Sequence, residues 1–124
     1  MDGQKKILII DDEEDIQKLL KIRLEQEGFI VITASDGEKG VKSAELETPD
    51  LILLDIMMPV VDGYSCLKEI RRIQKIKDTH VLMMSGKEEE KVRDLFAFQK
   101  ISGYLEKPFE LDDLIAKIKE ILKM

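Results

Sequence analysis

Five short apolar runs, separated by longer stretches with apolar residues every three or four positions, constrain this chain more than any other feature. The runs are ILII (7–10), IVIT (30–33), LILL (51–54), VLMM (81–84) and the shorter GYLE (103–106). Four of them are nearly continuous. A strand with one wet face alternates polar and apolar residues, so continuous runs predict strands covered on both faces, as in a parallel sheet between helices. The intervening stretches have helical spacing. Ile16, Leu19, Leu20 and Leu24 mark a first helix. Val41 and Ala44, with Glu45 and Leu46 as further candidates, mark a second, opening after the turn signal Asp36-Gly37. Leu67, Ile70 and Ile73 or Gln74 mark a third, after Asp62-Gly63, and Val92, Leu95, Phe96 and Gln99 a fourth. The fifth is the clearest, with Leu111, Leu114, Ile115, Ile118, Ile121 and Leu122 on one stripe. Strand and helix alternating five times, joined by right-handed crossovers, predict an α/β domain: a five-stranded parallel sheet with five helices on both faces. Open sheets of this kind bind ligands beyond the carboxyl ends of their strands.

What leaves those strand ends carries the chemistry. The first run passes directly into five carboxylates, ILIIDDEED (7–15), delivering Asp11 and Asp12. The third delivers Asp55, followed by Met57 and Pro59; the fourth delivers Ser85 and Gly86; the fifth delivers Lys107 and Pro108. Three carboxylates brought together cannot all stay ionised without a compensating cation or proton. An all-oxygen set suits Mg²⁺, which keeps several waters and an octahedral shell. A phosphoryl group would supply further oxygens, with Lys107 and the Ser85 hydroxyl as partners for it. Asp55, in the middle, is placed to be the nucleophile that forms an aspartyl phosphate. Glu13, Glu14 and Asp15 are expected in the first turn of the following helix, where the helix dipole favours negative charge.

Composition removes several other readings. The 124 residues suffice for one domain with a sizeable core, and 44% hydrophobic with 37% charged residues describes a soluble globular chain. A formal charge of −6 leaves no basic surplus for nonspecific nucleic-acid binding, so the basic stretch RRIQKIK (71–77) is read as a solvated helix end. The single cysteine, Cys66, has no disulfide or zinc partner and is expected to be a packed thiol, which fits a reducing, cytoplasmic setting. No apolar run approaches the length of a membrane span, and no apolar leader follows MDGQKK. The only histidine, His80, is expected at the surface where a strand begins, and not as a ligand or phosphocarrier. The methionines near the site, Met57, Met58, Met83 and Met84, are read as core filling.

Five segments in order and spacing, ILIIDDEEDI, TASDGEKG, PDLILLDIMMPVVDGY, VLMMSG and GYLEKPFELDDL, make the chain resemble the receiver domains of two-component response regulators, over its whole length. The resemblance implies a flavodoxin-like (CheY-like) fold with strand order 2-1-3-4-5. It implies a single receiver domain over residues 1–124 that accepts a phosphoryl group on Asp55 from a histidine kinase or phosphotransfer protein, with Mg²⁺ as cofactor. Asp12 and Asp55 would ligate the metal, Asp11 through a water, and Met57 through its backbone carbonyl. Ser85 and Lys107 would contact the phosphoryl group, the Lys107–Pro108 bond would be cis, and Ser85 with Tyr104 would form the switch. The face around Tyr104, with Phe98, would meet a downstream protein; no direct nucleic-acid or membrane contact is expected. The resemblance makes the chain a phosphorylation-dependent switch with self-catalysed phosphotransfer and autodephosphorylation, not a metabolic enzyme.

Two departures from the family pattern carry expectations. Lys100 stands where a glycine usually ends the fourth helix, which implies an altered or longer loop. Met57 and Lys87 flank the path of the attacking water and are expected to tune phosphoryl lifetime. The rivals are a degenerate receiver acting as a phosphorylation-independent binding module, a receiver fragment of a larger regulator, and an aspartyl-phosphate phosphatase. The last normally carries an acidic residue two positions after its nucleophile, where this chain has Met57. Flavin binding on the same fold is disfavoured by an acidic first loop, where a phosphate cradle needs glycines and hydroxyls.

Overall fold

The computed structural model describes residues 3–56, 63–86 and 100–124. Five strands, β1 (Lys6–Ile10), β2 (Ile30–Ala34), β3 (Leu51–Asp55), β4 (His80–Ser85) and β5 (Gly103–Glu106), form one parallel sheet in the order β2-β1-β3-β4-β5. Four helices are seen among the described residues: α1 (Glu14–Gln26), α2 (Gly37–Glu47), α3 (Gly63–Arg72) and α4 (Leu111–Leu122). The helix predicted around residues 92–99 lies outside the described residues, as do Met57, Met58, Pro59, Lys87 and Phe98. No helix among the described residues is long and apolar enough to cross a membrane.

The continuous runs are explained by two cores on opposite faces of the sheet. Successive side chains of a strand point to opposite faces. In β1 and β3, Leu8, Ile10, Ile52 and Leu54 therefore join the core that includes Ala44, Cys66, Leu67 and Ile70 of α2 and α3. Ile7, Ile9, Leu51 and Leu53 join the other, with Leu20 and Leu24 of α1 and Leu114, Ile115 and Ile118 of α4. The register pairs Ile7 with Leu51 and Ile10 with Leu54, so both sets stay in layers. β2 departs from the expectation of two covered faces. It is an edge strand beside β1 alone, and Ile30 is 41% exposed.

The second helix differs in its buried face. Leu46 is exposed, and the covered positions are Gly37, Gly40, Val41 and Ala44. A Cβ at Gly40 would lie 2.5 Å from Cδ1 of Ile10, so the missing side chain is what lets α2 sit down on β1. Asp36 caps this helix, accepting a hydrogen bond from the Lys39 N–H at 2.8 Å. α3 begins with a tighter approach: a Cβ at Gly63 would lie 2.1 Å from Cα of Ile56. Cys66 is buried, and His80 is exposed with its ring nitrogen Nδ1 2.8 Å from the Ser102 hydroxyl.

Candidate functional site

The β1, β3, β4 and β5 ends place acidic, hydroxyl and ammonium groups on one edge of the sheet. Asp11 follows β1 directly, Asp55 is the last residue of β3, Ser85 the last of β4, and Lys107 the first residue after β5. Asp11 and Ser85 are fully buried and Asp55 is 4% exposed, a depth at which ionisable groups need partners. Asp11 is held from several directions. Its N–H donates to the Ala34 carbonyl at 3.1 Å, and its Oδ1 accepts the Glu13 N–H at 2.9 Å. Its Oδ2 lies 3.5 Å from Lys107 Nζ. That ammonium is also 3.2 Å from Oδ2 of Asp55 and 3.9 Å from Oε1 of Glu13. The Lys107 N–H donates to the Ser85 carbonyl at 2.6 Å, which carries the pairing of β4 and β5 up to the site. The Lys107–Pro108 peptide bond is cis.

The electrostatics follow from burial and crowding. Burial pushes the Asp11 carboxyl above its ordinary range, and the nearby Asp55 charge adds to this; the Glu13 amide and Lys107 oppose it without cancelling it. For Lys107, burial works against the charged form, but Asp11 and Asp55 more than offset it and hold the ammonium above its usual pKa. Asp11, Asp12, Glu13 and Asp55 can each offer a carboxylate oxygen, all within 4.8 Å of one another. Four carboxylates against one ammonium leave a surplus of negative charge. A hard cation that accepts only oxygen ligands answers it, and Mg²⁺ fits this donor set.

The structure thus brings Asp11, Asp12, Asp55 and Lys107 together, with Ser85 buried at the adjacent strand end. Tyr104 lies three residues before Lys107 on β5, half-buried against the core beneath α2 and α3. The expected metal contact from the Met57 carbonyl falls outside the described residues. Two participants escaped the sequence reading. Glu13 was expected within the first turn of α1, but it is the residue preceding that helix; Glu14 and Asp15 occupy the first turn. Glu13 therefore faces Lys107. Its signal was present in the run of five acidic residues, whose helix boundary sequence alone does not locate to one residue. The other is Gln17, whose side-chain amide donates to the carbonyls of Asp11 and Ala34. Nothing in a polar residue on an amphipathic helix announces such a bond. Lys100, expected in an altered loop, is in irregular backbone, and Arg71 donates to its carbonyl from Nε at 3.1 Å and Nη2 at 2.7 Å.

Comparison with known proteins agrees with this geometry. The family model described as response regulator receiver domain matches residues 7–119. The chain is 45% identical over 119 residues to the alkaline phosphatase synthesis transcriptional regulatory protein PhoP of Bacillus subtilis, covering 96% of this chain and 49% of that protein. It is 39% identical over 118 residues to the transcriptional regulatory protein CpxR of Klebsiella pneumoniae, covering 95% of this chain and 49% of that one. It spans about half the length of the curated relatives it matches. Among solved structures, chemotaxis protein CheY4 of Vibrio cholerae superposes with a TM-score of 0.91 at 27% identity, covering 96% of this chain and 99% of CheY4. The receiver domain of sensor histidine kinase PA1611 from Pseudomonas aeruginosa, with a magnesium ion coordinated in its active-site cleft, gives 0.88 at 27% identity, covering 98% of this chain and 100% of that domain. The parallel sheet in the order 2-1-3-4-5, the acidic strand ends and the match over residues 7–119 lead to one conclusion: this chain belongs to the response regulator receiver domains, signalling modules of two-component systems.

Proposed function

We propose that Asp55 accepts a phosphoryl group from a histidine kinase or histidine phosphotransfer protein in a Mg²⁺-dependent reaction, and that this switches a partner-binding surface around Tyr104. The observation that carries the reading is Lys107 Nζ, which reaches Asp55 at 3.2 Å and Asp11 at 3.5 Å within a cluster of four carboxylates. Asp12 and Asp55 would hold the metal with the Met57 carbonyl, and Asp11 would act through a water. When bound, Mg²⁺ supplies charge neutralisation for the incoming phosphoryl oxygens. The chain's own residues do the rest. The nearly buried Asp55 carboxylate presents its oxygen for in-line attack on the phosphorus of the donor's phosphohistidine, and the P–N bond breaks as the donor's imidazole leaves. Lys107 holds one phosphoryl oxygen as a point charge, and exchanges part of its attraction to Asp55 for it. Ser85 donates its hydroxyl to another, and its movement toward the site frees space that the Tyr104 ring fills. Hydrolysis of the acyl phosphate by water resets the site, with Met57 and Lys87 tuning its rate.

The described residues form one sheet with helices on both faces, which supports residues 1–124 as a single receiver domain. A cleft of about 420 Å³, lined by Ile16, Leu19, Leu20, Pro108, Phe109 and Leu111, abuts Lys107 and offers an apolar seat for the donor protein. The buried Cys66, whose thiol donates to the Gly37 carbonyl at 3.8 Å, is in keeping with a cytoplasmic setting. A second reading is that the receiver serves as the input half of a transcriptional regulator. The curated relatives, about twice as long as the matched region, favour it.

The test is intact mass after incubation with acetyl phosphate, with and without Mg²⁺, beside an Asp55→Asn variant. A gain of one phosphoryl group that requires both Mg²⁺ and Asp55 is the expected result. No gain under any condition would replace the switch by a receiver that binds partners without phosphorylation.

A further inference from the structure

We propose that Gln17 is a positioning residue for the acidic loop: by holding the carbonyls of Asp11 and Ala34, its side-chain amide sets the carboxylate geometry and thereby the affinity for Mg²⁺. The inference rests on the Mg²⁺ reading above and adds a residue that touches neither the cation nor the phosphoryl group.

Gln17 sits one turn into α1, half-buried, with Nε2 donating to the Asp11 carbonyl and, at 3.2 Å, to the Ala34 carbonyl. Ala34 is the last residue of β2, and its carbonyl also accepts the Asp11 N–H at 3.1 Å. The end of β2, the loop after β1 and the first turns of α1 therefore meet at one amide. The Asp11 carbonyl belongs to the same rigid peptide plane as the Asp12 nitrogen. Holding that oxygen fixes the plane, and with it the direction in which the Asp12 side chain leaves the backbone. The Asp11 carboxylate has its own anchors, the Glu13 N–H at 2.9 Å and Lys107 at 3.5 Å. The exposed Asp12 takes its direction from the backbone.

Mutual repulsion among Asp11, Asp12, Glu13 and Asp55 favours opening of this loop when no cation is present. A loop that opened would have to close again on binding, and the affinity would fall by that amount. A neutral amide resists opening without adding charge to the cluster. Glu at this position would add a fifth carboxylate and lack a donor, while Met would keep the length and lack the bond.

The experiment measures Mg²⁺ dissociation constants by calorimetry for wild type, Gln17→Met and Gln17→Glu, with Asp50→Ala as a control. Asp50 accepts the Lys6 N–H at 2.8 Å at the opposite end of β1, so its loss lowers stability away from the site. The expected result is about a 10-fold weaker Mg²⁺ constant for Gln17→Met, in the range seen when residues supporting metal ligands are lost. Gln17→Glu retains less, and Asp50→Ala is unchanged. In the metal-free protein, the amide resonances of Asp12 and Glu13 shift in Gln17→Met and not in Asp50→Ala. Wild-type protein supplies a readout that needs no variant to fold. The Gln17 side-chain amide signals move with Mg²⁺ occupancy, while those of the exposed Gln26 stay put. An unchanged constant in folded Gln17→Met, or Gln17 signals indifferent to Mg²⁺ that wild type demonstrably binds, overturns the positioning role alone. Wild-type protein that binds no Mg²⁺ overturns the function proposed above and this inference with it.

Discussion

Replacing Asp11 by asparagine should make the metal-free protein more stable at neutral pH, although it removes a partner of Lys107. Asp11 is fully buried, and carboxylates do not leave water cheaply: the effective penalty is several kcal/mol per ion, against about 1–3 kcal/mol for a neutral amide. Its chief like-charged neighbour is Asp55, because Asp12 and Glu13 are exposed and screened by water. At the outer separation of 4.8 Å this repulsion is about 3.5 kcal/mol for an effective dielectric near 20. Lys107 at 3.5 Å returns about 4.7 kcal/mol, so the two Coulomb contributions nearly cancel and desolvation decides the sign. Lys107 keeps Asp55 at 3.2 Å in the variant, and an asparagine oxygen can still accept the Glu13 N–H. The net gain is about 2 kcal/mol, or roughly a 1 M rise in the urea midpoint.

The pH dependence checks the same reasoning. A carboxyl whose pKa is raised in the folded state binds its proton more tightly there than in the unfolded chain. Stability is therefore lost as pH rises from the ordinary value of 3.8 through the raised one. The advantage of Asp11→Asn should shrink as pH falls toward 3.8, because the folded wild-type carboxyl takes up its proton before the unfolded chain does. Urea unfolding in EDTA at several pH values measures this. A variant no more stable than wild type at pH 7, or a gain that grows on acidification, refutes the account.

Gly63→Ala should destabilise by about 2–3 kcal/mol even after the roughly 1 kcal/mol helix-propensity gain of alanine. Its Cβ would lie 2.1 Å from Cα of Ile56, so the start of α3 must retreat from the residue after Asp55; urea unfolding would show it. Arg71→Met should lose about 3 kcal/mol, read as a fall of roughly 10 °C in thermal midpoint. Its guanidinium donates to the Lys100, Lys77 and Thr79 carbonyls, tying the end of α3 to the strands beside it. Arg71→Lys should recover less than half of that loss, since one ammonium cannot span the same carbonyls.

Several parts of this molecule are legible in the sequence. Continuous runs such as LILL announced strands covered on both faces, because β3 lies between two neighbours with helices above and below. The stripe from Leu111 to Leu122 located the last helix, whose Leu114, Ile115 and Ile118 are buried. Other parts had no signal of that kind. The buried face of α2 is built largely from Gly37, Gly40 and Ala44, which carry little hydrophobic signal, while the apolar Leu46 points to solvent. IVIT reads like its three companions, yet β2 has no strand on its outer side. Whether a run is central or at an edge depends on partners remote in the sequence, not on its own composition.

At the site the division falls along the same physical line. The sequence by itself determined which groups stand at strand ends: Asp11, Asp12, Asp55, Ser85 and Lys107 each follow or close an apolar run, and a parallel sheet must put all such ends on one edge. Only the tertiary structure decided how they meet. It set the strand neighbours, so that one ammonium lies 3.2 Å from Asp55 and 3.5 Å from Asp11. It buried Asp11 while leaving Asp12 exposed, turned Glu13 out of the helix toward Lys107, and passed the Gln17 amide beneath the loop to Ala34. Chain order restricts what can reach an edge, because strand period and crossover handedness are local properties. Distances between residues dozens of positions apart are set by packing, and packing is a property of all the elements at once.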